Sequence, residues 1–177
     1  MRTLTTVLLL FVLAPVCLAQ EAAPAADSPA DFGLLNARFP MEEVLFGGQP
    51  DGGQLDAMAR SGYKTVIDLR REIENRGFDE PAAVERLGLE YVAIPVGSET
   101  LQDTEIFETF LEVFEAAERP VLVHCASGNR VGALYYAWLV AREGMSREEA
   151  LAEAQRQGLR SQALADAVDV YLDSLEP

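Results

Sequence analysis

Positive charge, sulfur and imidazole are all scarce in this 177-residue sequence: 14 Lys+Arg stand against 29 Asp+Glu, a net charge of −15, with two cysteines and one histidine. A chain this acidic repels polyanions and gains nothing from the counterion release that drives nucleic-acid binding, so DNA and RNA are excluded as expected partners. A phosphate compound would have to be held locally, by backbone N–H groups and one or two well-placed cations. Internal repeats are absent, and the length allows one domain rather than two. With 49% hydrophobic and 24% charged residues, the chain has apolar material for one buried core, and disorder is excluded as its main state.

The one long apolar run is at the N-terminus. Met1-Arg2 is followed by a nearly unbroken apolar stretch from Leu4 to Val16, then Cys17-Leu18-Ala19, with small residues three and one before a cut after Ala19. The run is shorter than the ~20 residues a membrane-spanning helix needs, and Pro15 interrupts it. Residues 1–19 therefore read as a secretory signal peptide. The expectation is export to the periplasm or the exterior, with no stable membrane insertion once the signal is removed. Its removal takes one cation and no acid, moving the net charge from −15 to −16, and takes Cys17 as well. Cys125 is then the sole cysteine, no intramolecular disulfide can form, and a lone thiol in an oxidising compartment is either buried and inert or kept for chemistry. Residues 20–31, small and Pro-containing, read as a flexible linker, leaving 32–177 as the domain.

Within the domain, strand and helix signals alternate. Val44-Leu45-Phe46 reads as a strand, and Gly47 to Gly53 as turn material opening a helix that carries Leu55 and Met58. Tyr63 to Leu69 is a second strand, Asp79 and Pro81 open a helix ending at Gly88, and Leu89 to Pro95 is a third strand. Asp103 or Thr104 caps a helix with Ile106, Phe107, Phe110, Leu111 and Phe114 on one face. Val121-Leu122-Val123 is the most buried-looking strand. After it come an apolar helix from Arg130 to Ala141, a capping box at Ser146 to Glu149, and a last amphipathic helix from Ser161. This order predicts an α/β fold: a mostly parallel sheet of four to five strands flanked by helices, with a helical C-terminal part and ligands beyond the carboxyl ends of the strands.

The strongest functional signal lies at one such end. His124-Cys125-Ala126-Ser127-Gly128-Asn129-Arg130 joins the buried strand to the apolar helix, so its successive N–H groups can curl around an anion at the helix N-terminus, with Gly128 supplying freedom for the turn. The same field favours the Cys125 thiolate over its thiol, and the thiolate is the nucleophilic form. Arg130 can bind two phosphate oxygens at once. Ala126, Ser127, Gly128, Asn129 and Arg130 are thus the candidate phosphate-binding residues, with His124 in support. The competing structural reading makes Cys125 a small buried residue ending a strand and Arg130 a surface charge. Asp68 reads as a strand-end acceptor and Arg70 as a solvated charge. Tyr135, Tyr136 and Trp138, at helical spacing, read as core.

At these residues the sequence resembles the cysteine-dependent protein tyrosine and dual-specificity phosphatase superfamily. More closely it resembles the bacterial beta-lactamase hydrolase-like protein phosphatase-like domains, related to the phosphatase-like domain fused to NAD kinase. The resemblance rests on Phe46 to Pro50, Thr65 to Arg70, Tyr91 to Val96, His124 to Arg130, and Gly144-Met145-Ser146 with Glu149-Ala150. It implies a dual-specificity-phosphatase-like fold, Cys125 as the nucleophile that forms a phosphocysteine, Arg130 and the loop amides as stabilisers of the phosphoryl group, no metal or other cofactor, and a phosphorylated small molecule or protein as partner. It also implies a carboxylic acid after the third strand to protonate the leaving group. Glu99 is the first choice, while Asp103 has an equally good role as helix cap.

Two departures from the superfamily pattern stand out. Four residues rather than five separate Cys125 from Arg130, and Val131 stands where a Ser or Thr usually follows the arginine. Slow turnover is the expectation. The shortened loop is also that of rhodanese-like sulfurtransferases, whose cysteine carries a persulfide, and Val66 to Arg70 resembles a strand of that family. His124 and Gly47-Gly48-Gln49-Pro50 speak against it. A phosphate-binding module without turnover is the third reading, favoured by Val131.

Overall fold

The computed structural model describes residues 30–97 and 99–176. The expected signal peptide, residues 1–19, and residues 20–29 of the expected linker lie outside them. Five strands form one sheet: β1 (Arg38–Met41), β2 (Val44–Gly47), β3 (Thr65–Asp68), β4 (Glu90–Ala93) and β5 (Val121–His124), in the spatial order β1-β2-β5-β3-β4. β2, β5, β3 and β4 run parallel, and β1 is antiparallel at the edge. The expected mostly parallel sheet is thus present.

β1 has no counterpart among the expected strands. Its four residues include Pro40, and an interior Pro argues against a strand unless it lies at a sheet edge, where the missing N–H costs no ladder bond. β3 and β4 each keep four residues of longer β-rich runs, whereas β2 and β5 each extend one residue beyond the three expected.

The helices are α1 (Gly52–Arg60), α2 (Glu80–Arg86), α3 (Glu105–Ala116), α4 (Asn129–Ala141), α5 (Arg147–Arg156) and α6 (Gln162–Leu175), with one 3-10 turn at Thr100–Gln102. The period-2 alternation of β2, β3 and β5 sorts them into two layers. Leu45, Val66 and Leu122 point to the layer of α1 and α2, where they meet Leu55, Met58 and Val84. Val44, Phe46, Ile67, Val121 and Val123 point to the larger layer of α3 to α6. α4 lies inside that layer: every residue from Val131 to Leu139 is buried, including Tyr135, Tyr136 and Trp138, which makes those aromatics core. Gly132 lets α4 pass close to the turn after α5, because a Cβ there would lie 2.4 Å from the Leu159 nitrogen. α6 is fastened by Tyr171, whose ring stacks on Phe107 at 4.6 Å between centroids.

Helix starts follow local chemistry. Asp51, Asp79, Ser146 and Ser161 each accept a backbone N–H of the first turn. At α3, Thr104 occupies the cap position without a side-chain bond, and Asp103 accepts from Glu105 N–H at 3.0 Å instead. The carboxyl ends of β2, β3, β4 and β5 converge on one rim, together with the N-terminus of α4.

Candidate active site

β5 delivers Cys125 to this rim, and the backbone on both sides of it is fixed. Leu69 N–H donates to His124 C=O at 2.9 Å, and Cys125 N–H donates to Gly47 C=O at 3.3 Å. The next carbonyls are drawn away from the cysteine: Ala126 C=O accepts from Gln49 N–H at 3.4 Å, and Ser127 C=O accepts from Asn36 Nδ2 at 3.1 Å and Arg160 Nη2 at 2.9 Å. In a trans peptide the N–H points opposite the C=O, so holding these carbonyls outward turns the following N–H groups inward. Gly128 shows this directly: its N–H donates to Cys125 Sγ at 3.1 Å. Its φ of +82° lies in the left-handed region that glycine enters without a steric penalty. Asn129 ties the loop to the start of α6 by accepting from Arg160 N–H at 2.7 Å and Ser161 N–H at 3.2 Å.

Arg130 reaches back over the rim. Its Nη1 donates to Glu74 Oε1 at 2.6 Å, to Val96 C=O at 2.9 Å and to Leu69 C=O at 3.2 Å, while Nη2 donates to Glu74 Oε2 at 2.7 Å. Glu74 thus grips the end of the fork, and the same guanidinium also interacts with Cys125. Burial works against the Arg130 charge, but hydrogen bonding with Glu74 and the neighbouring Cys125 outweighs it and holds the guanidinium above its ordinary value. The hydrogen bond from Arg130, aided by Arg71 N–H and Arg70 and opposed by partial burial, holds the Glu74 carboxyl well below the usual carboxylate range.

Beside Arg130 opens a cavity of about 560 Å³ walled by Val96, Gly97 and Leu101 on one side and by Ala163, Leu164 and Ala167 of α6 on the other, with Arg71, Glu74 and Gln102 as its other polar lining. The two acid candidates stand apart from this wall. Glu99 and Asp103 line a neighbouring cleft of about 310 Å³, and Glu99 Oε1 accepts from Arg71 Nη1 at 3.2 Å. The structure therefore brings Cys125, Ala126, Ser127, Gly128, Asn129 and Arg130 together, and places Glu99 beside them with its carboxylate on Arg71. Asp103 spends one oxygen on the start of α3.

Arg70 departs from expectation. It is 8% exposed rather than solvated, and donates to Gln49 Oε1, to Asn75 C=O at 3.0 Å and to Glu74 at 3.3 Å. Glu74 itself was not foreseen. No local motif marks it, because its partner lies 56 residues away. Asp68, Glu80 and His124 are the one group of His, Cys, Asp and Glu side chains among the described residues close enough to take a metal ion, and Arg76 already spans both carboxylates.

Comparison with known proteins matches residues 38–170 to the family described as DSP-PTPase phosphatase fused to NAD+ Kinase. The chain is 35% identical over 121 residues to a beta-lactamase hydrolase-like protein of Xylella fastidiosa, covering 66% of this chain and 28% of that protein. It is 29% identical over 112 residues to the dual specificity protein phosphatase TpbA of Pseudomonas aeruginosa, covering 62% and 48%. It thus spans half or less of these relatives. Among solved structures, the active form of Tk-PTP superposes with a TM-score of 0.63 at 26% identity, over 78% of this chain and 97% of that one. The core catalytic domain of the PP-IP phosphatase SIW14 from S. cerevisiae superposes with a TM-score of 0.64 at 17% identity, over 77% and 85%, a likeness of fold alone.

Proposed function

The chain belongs to the DSP-PTPase phosphatase family of the kind fused to NAD+ kinase, and on that premise we propose that it hydrolyses phosphate monoesters through a phosphocysteine on Cys125. The observation that carries this reading is the pairing of two preset groups on one short loop: a sulfur that receives the Gly128 N–H at 3.1 Å, and an arginine fork whose far end is clamped by Glu74. The thiolate attacks phosphorus, so a P–S bond forms as the ester P–O bond breaks. The loop N–H groups and the Arg130 guanidinium receive the phosphoryl oxygens, whose charge they stabilise as it develops. The leaving oxygen takes a proton from a carboxylic acid, for which Glu99 is the proposed source once its bond with Arg71 opens. Water then attacks phosphorus, breaks the P–S bond and releases inorganic phosphate. The cavity beside Arg130 receives the body of a phosphorylated small molecule or a phosphorylated side chain of a protein.

Release of phosphate from a small aryl phosphate, followed over about pH 5–8, tests this directly. The wild-type protein is expected to turn over, and Cys125→Ser to abolish turnover while an oxyanion still raises its melting temperature. Activity surviving that substitution would exclude the cysteine mechanism. A folded, reduced wild-type protein that binds phosphate without turnover would instead be a binding module, the alternative that Val131 favours.

A further inference from the structure

Beneath the cysteine loop, on the α1/α2 side of the sheet, lies a buried polar group that the reaction above does not use. His124, Asp68 and Glu80 are fully buried. His124 is paired in register with Asp68 on β3 and Gly47 on β2. Asp68 is fully engaged: Oδ1 accepts from Arg70 N–H at 2.7 Å, and Oδ2 accepts from Arg76 Nε and from Tyr91 Oη, each at 2.8 Å. Glu80 Oε2 accepts from Gln49 Nε2 at 2.8 Å and lies 3.4 Å from Arg76 Nε. Glu80 Oε1 has no such donor. It lies 3.1 Å from His124 Nε2, which is 3.7 Å from Asp68 Oδ1, and neither this oxygen nor either imidazole nitrogen makes an aligned hydrogen bond among the described residues.

A buried carboxylate oxygen needs a donor, and the imidazole is the group within reach that can supply one. We propose that Glu80 is a positioning residue for Cys125, acting through His124: its carboxylate fixes the imidazole proton on Nε2 and so pins the residue that precedes the nucleophile. Strand alternation sends the His124 side chain to the α1/α2 layer while Cys125 faces α3 to α6, so the ring anchors β5 from the side opposite the sulfur. The anchor also joins the far side of the loop. Contacts run from His124 to Glu80, Gln49, Arg70 and Glu74, and end on Arg130, so one continuous polar chain holds both ends of the cysteine loop. The titratable and charged groups facing the imidazole region are Asp68 from β3, Glu80 from α2, Tyr91 from β4, Arg76 from the intervening loop and Cys125 as its chain neighbour. A divalent ion at this group would have to compete with Arg76, which already spans both carboxylates, and with the Arg70 N–H and the Tyr91 hydroxyl on Asp68.

The proposal rests on Cys125 being the nucleophile, and its test keeps the two separable. As the sole histidine, His124 gives a single pair of imidazole ¹⁵N resonances in the labelled chain. At pH 7 Nε2 is expected to show the shift of a protonated ring nitrogen, and Glu80→Gln, which places an NH₂ among donors, is expected to move both resonances. The same variant is expected to change the rate of Cys125 alkylation by iodoacetamide by at least about 3-fold, and to lower kcat on an aryl phosphate by about 10-fold with KM within about 2-fold. Glu80→Asp, which keeps the acceptor, is expected to recover part of each loss. A folded Glu80→Gln with wild-type resonances and alkylation rate would overturn the proposal. If the variant does not fold, an unprotonated Nε2 in the wild-type spectrum, or stoichiometric Zn²⁺ binding that shifts Nε2, would overturn it equally. Because the resonances and the alkylation rate need no turnover, failure of the phosphatase reading would appear in the kinetics alone.

Discussion

The two halves of the site rim are held in place very differently. On the cysteine side, Arg130 is gripped by one carboxylate and two backbone carbonyls, and the loop carbonyls are bound by Asn36, Gln49 and Arg160. On the side after β4, Glu99 has a side chain 59% exposed and meets Arg71, itself 37% exposed, while Asp103 serves the start of α3. Under the proposed mechanism, the difference teaches that oxyanion binding and nucleophile geometry are preset in the folded state, and that proton delivery is left to a surface segment. Substitutions on the first side should therefore cost much more activity than those on the second.

The steepest way to break this contrast, after loss of the sulfur itself, is Arg130→Lys. A lysine keeps the charge but cannot be clamped by Glu74 and offer a planar edge at the same time. A fall in kcat/KM of about 10²–10³-fold on an aryl phosphate is expected, and a fall below about 3-fold would mean that the fork geometry is not used.

Glu74→Gln comes next, with about a 10-fold loss in kcat/KM and a stability loss of about 1–3 kcal/mol at neutral pH, measured by chemical denaturation. Its pH dependence has a definite sign. The Glu74 carboxyl is held below its ordinary value in the folded state, so its stabilisation is fully present above the unfolded value near ~4.3 and is lost as pH falls through the lower folded value. The stability gap between wild type and Glu74→Gln should narrow only below about pH 4. A gap that closes between about pH 5 and 7 would show that another group carries the effect.

The smallest effect is expected on the exposed side. Glu99→Gln should lower turnover of an aryl phosphate with a good leaving group by less than about 3-fold, and of an alkyl phosphate by about 10-fold or more, because only the poorer leaving group needs the proton. Equal losses on both substrates would sharpen the contrast differently, by giving Glu99 a structural role through Arg71.

The same contrast separates what was readable in the sequence from what was not. β5 and the Cys125 loop were legible because strand, turn and helix start are neighbours in the chain, and an apolar run followed by Gly128 and Arg130 has few other readings. The alternation that gives the parallel sheet was legible for the same reason. Glu74 and Glu80 were not. Each acts on a partner brought to it by sheet register and lying 56 and 44 positions away, and nothing in Ile73-Glu74-Asn75 or Asp79-Glu80-Pro81 distinguishes them from other acids of a strongly acidic chain. Arg70 was misread for a related reason: an arginine after a strand is usually solvated, and only the fold reveals Gln49 waiting opposite it. β1 escaped notice because Pro40 disqualifies a strand everywhere except at an edge.

The central claim is that Cys125 itself takes the phosphoryl group, and trapping that intermediate tests it most directly. The protein would be mixed with an aryl phosphate, denatured within the first turnover and digested, and the peptide bearing Cys125 weighed. The account predicts that this peptide gains the mass of one phosphoryl group and that the gain vanishes in Cys125→Ser. Phosphate release in a burst with no adduct on Cys125, or an adduct on another residue, would contradict it.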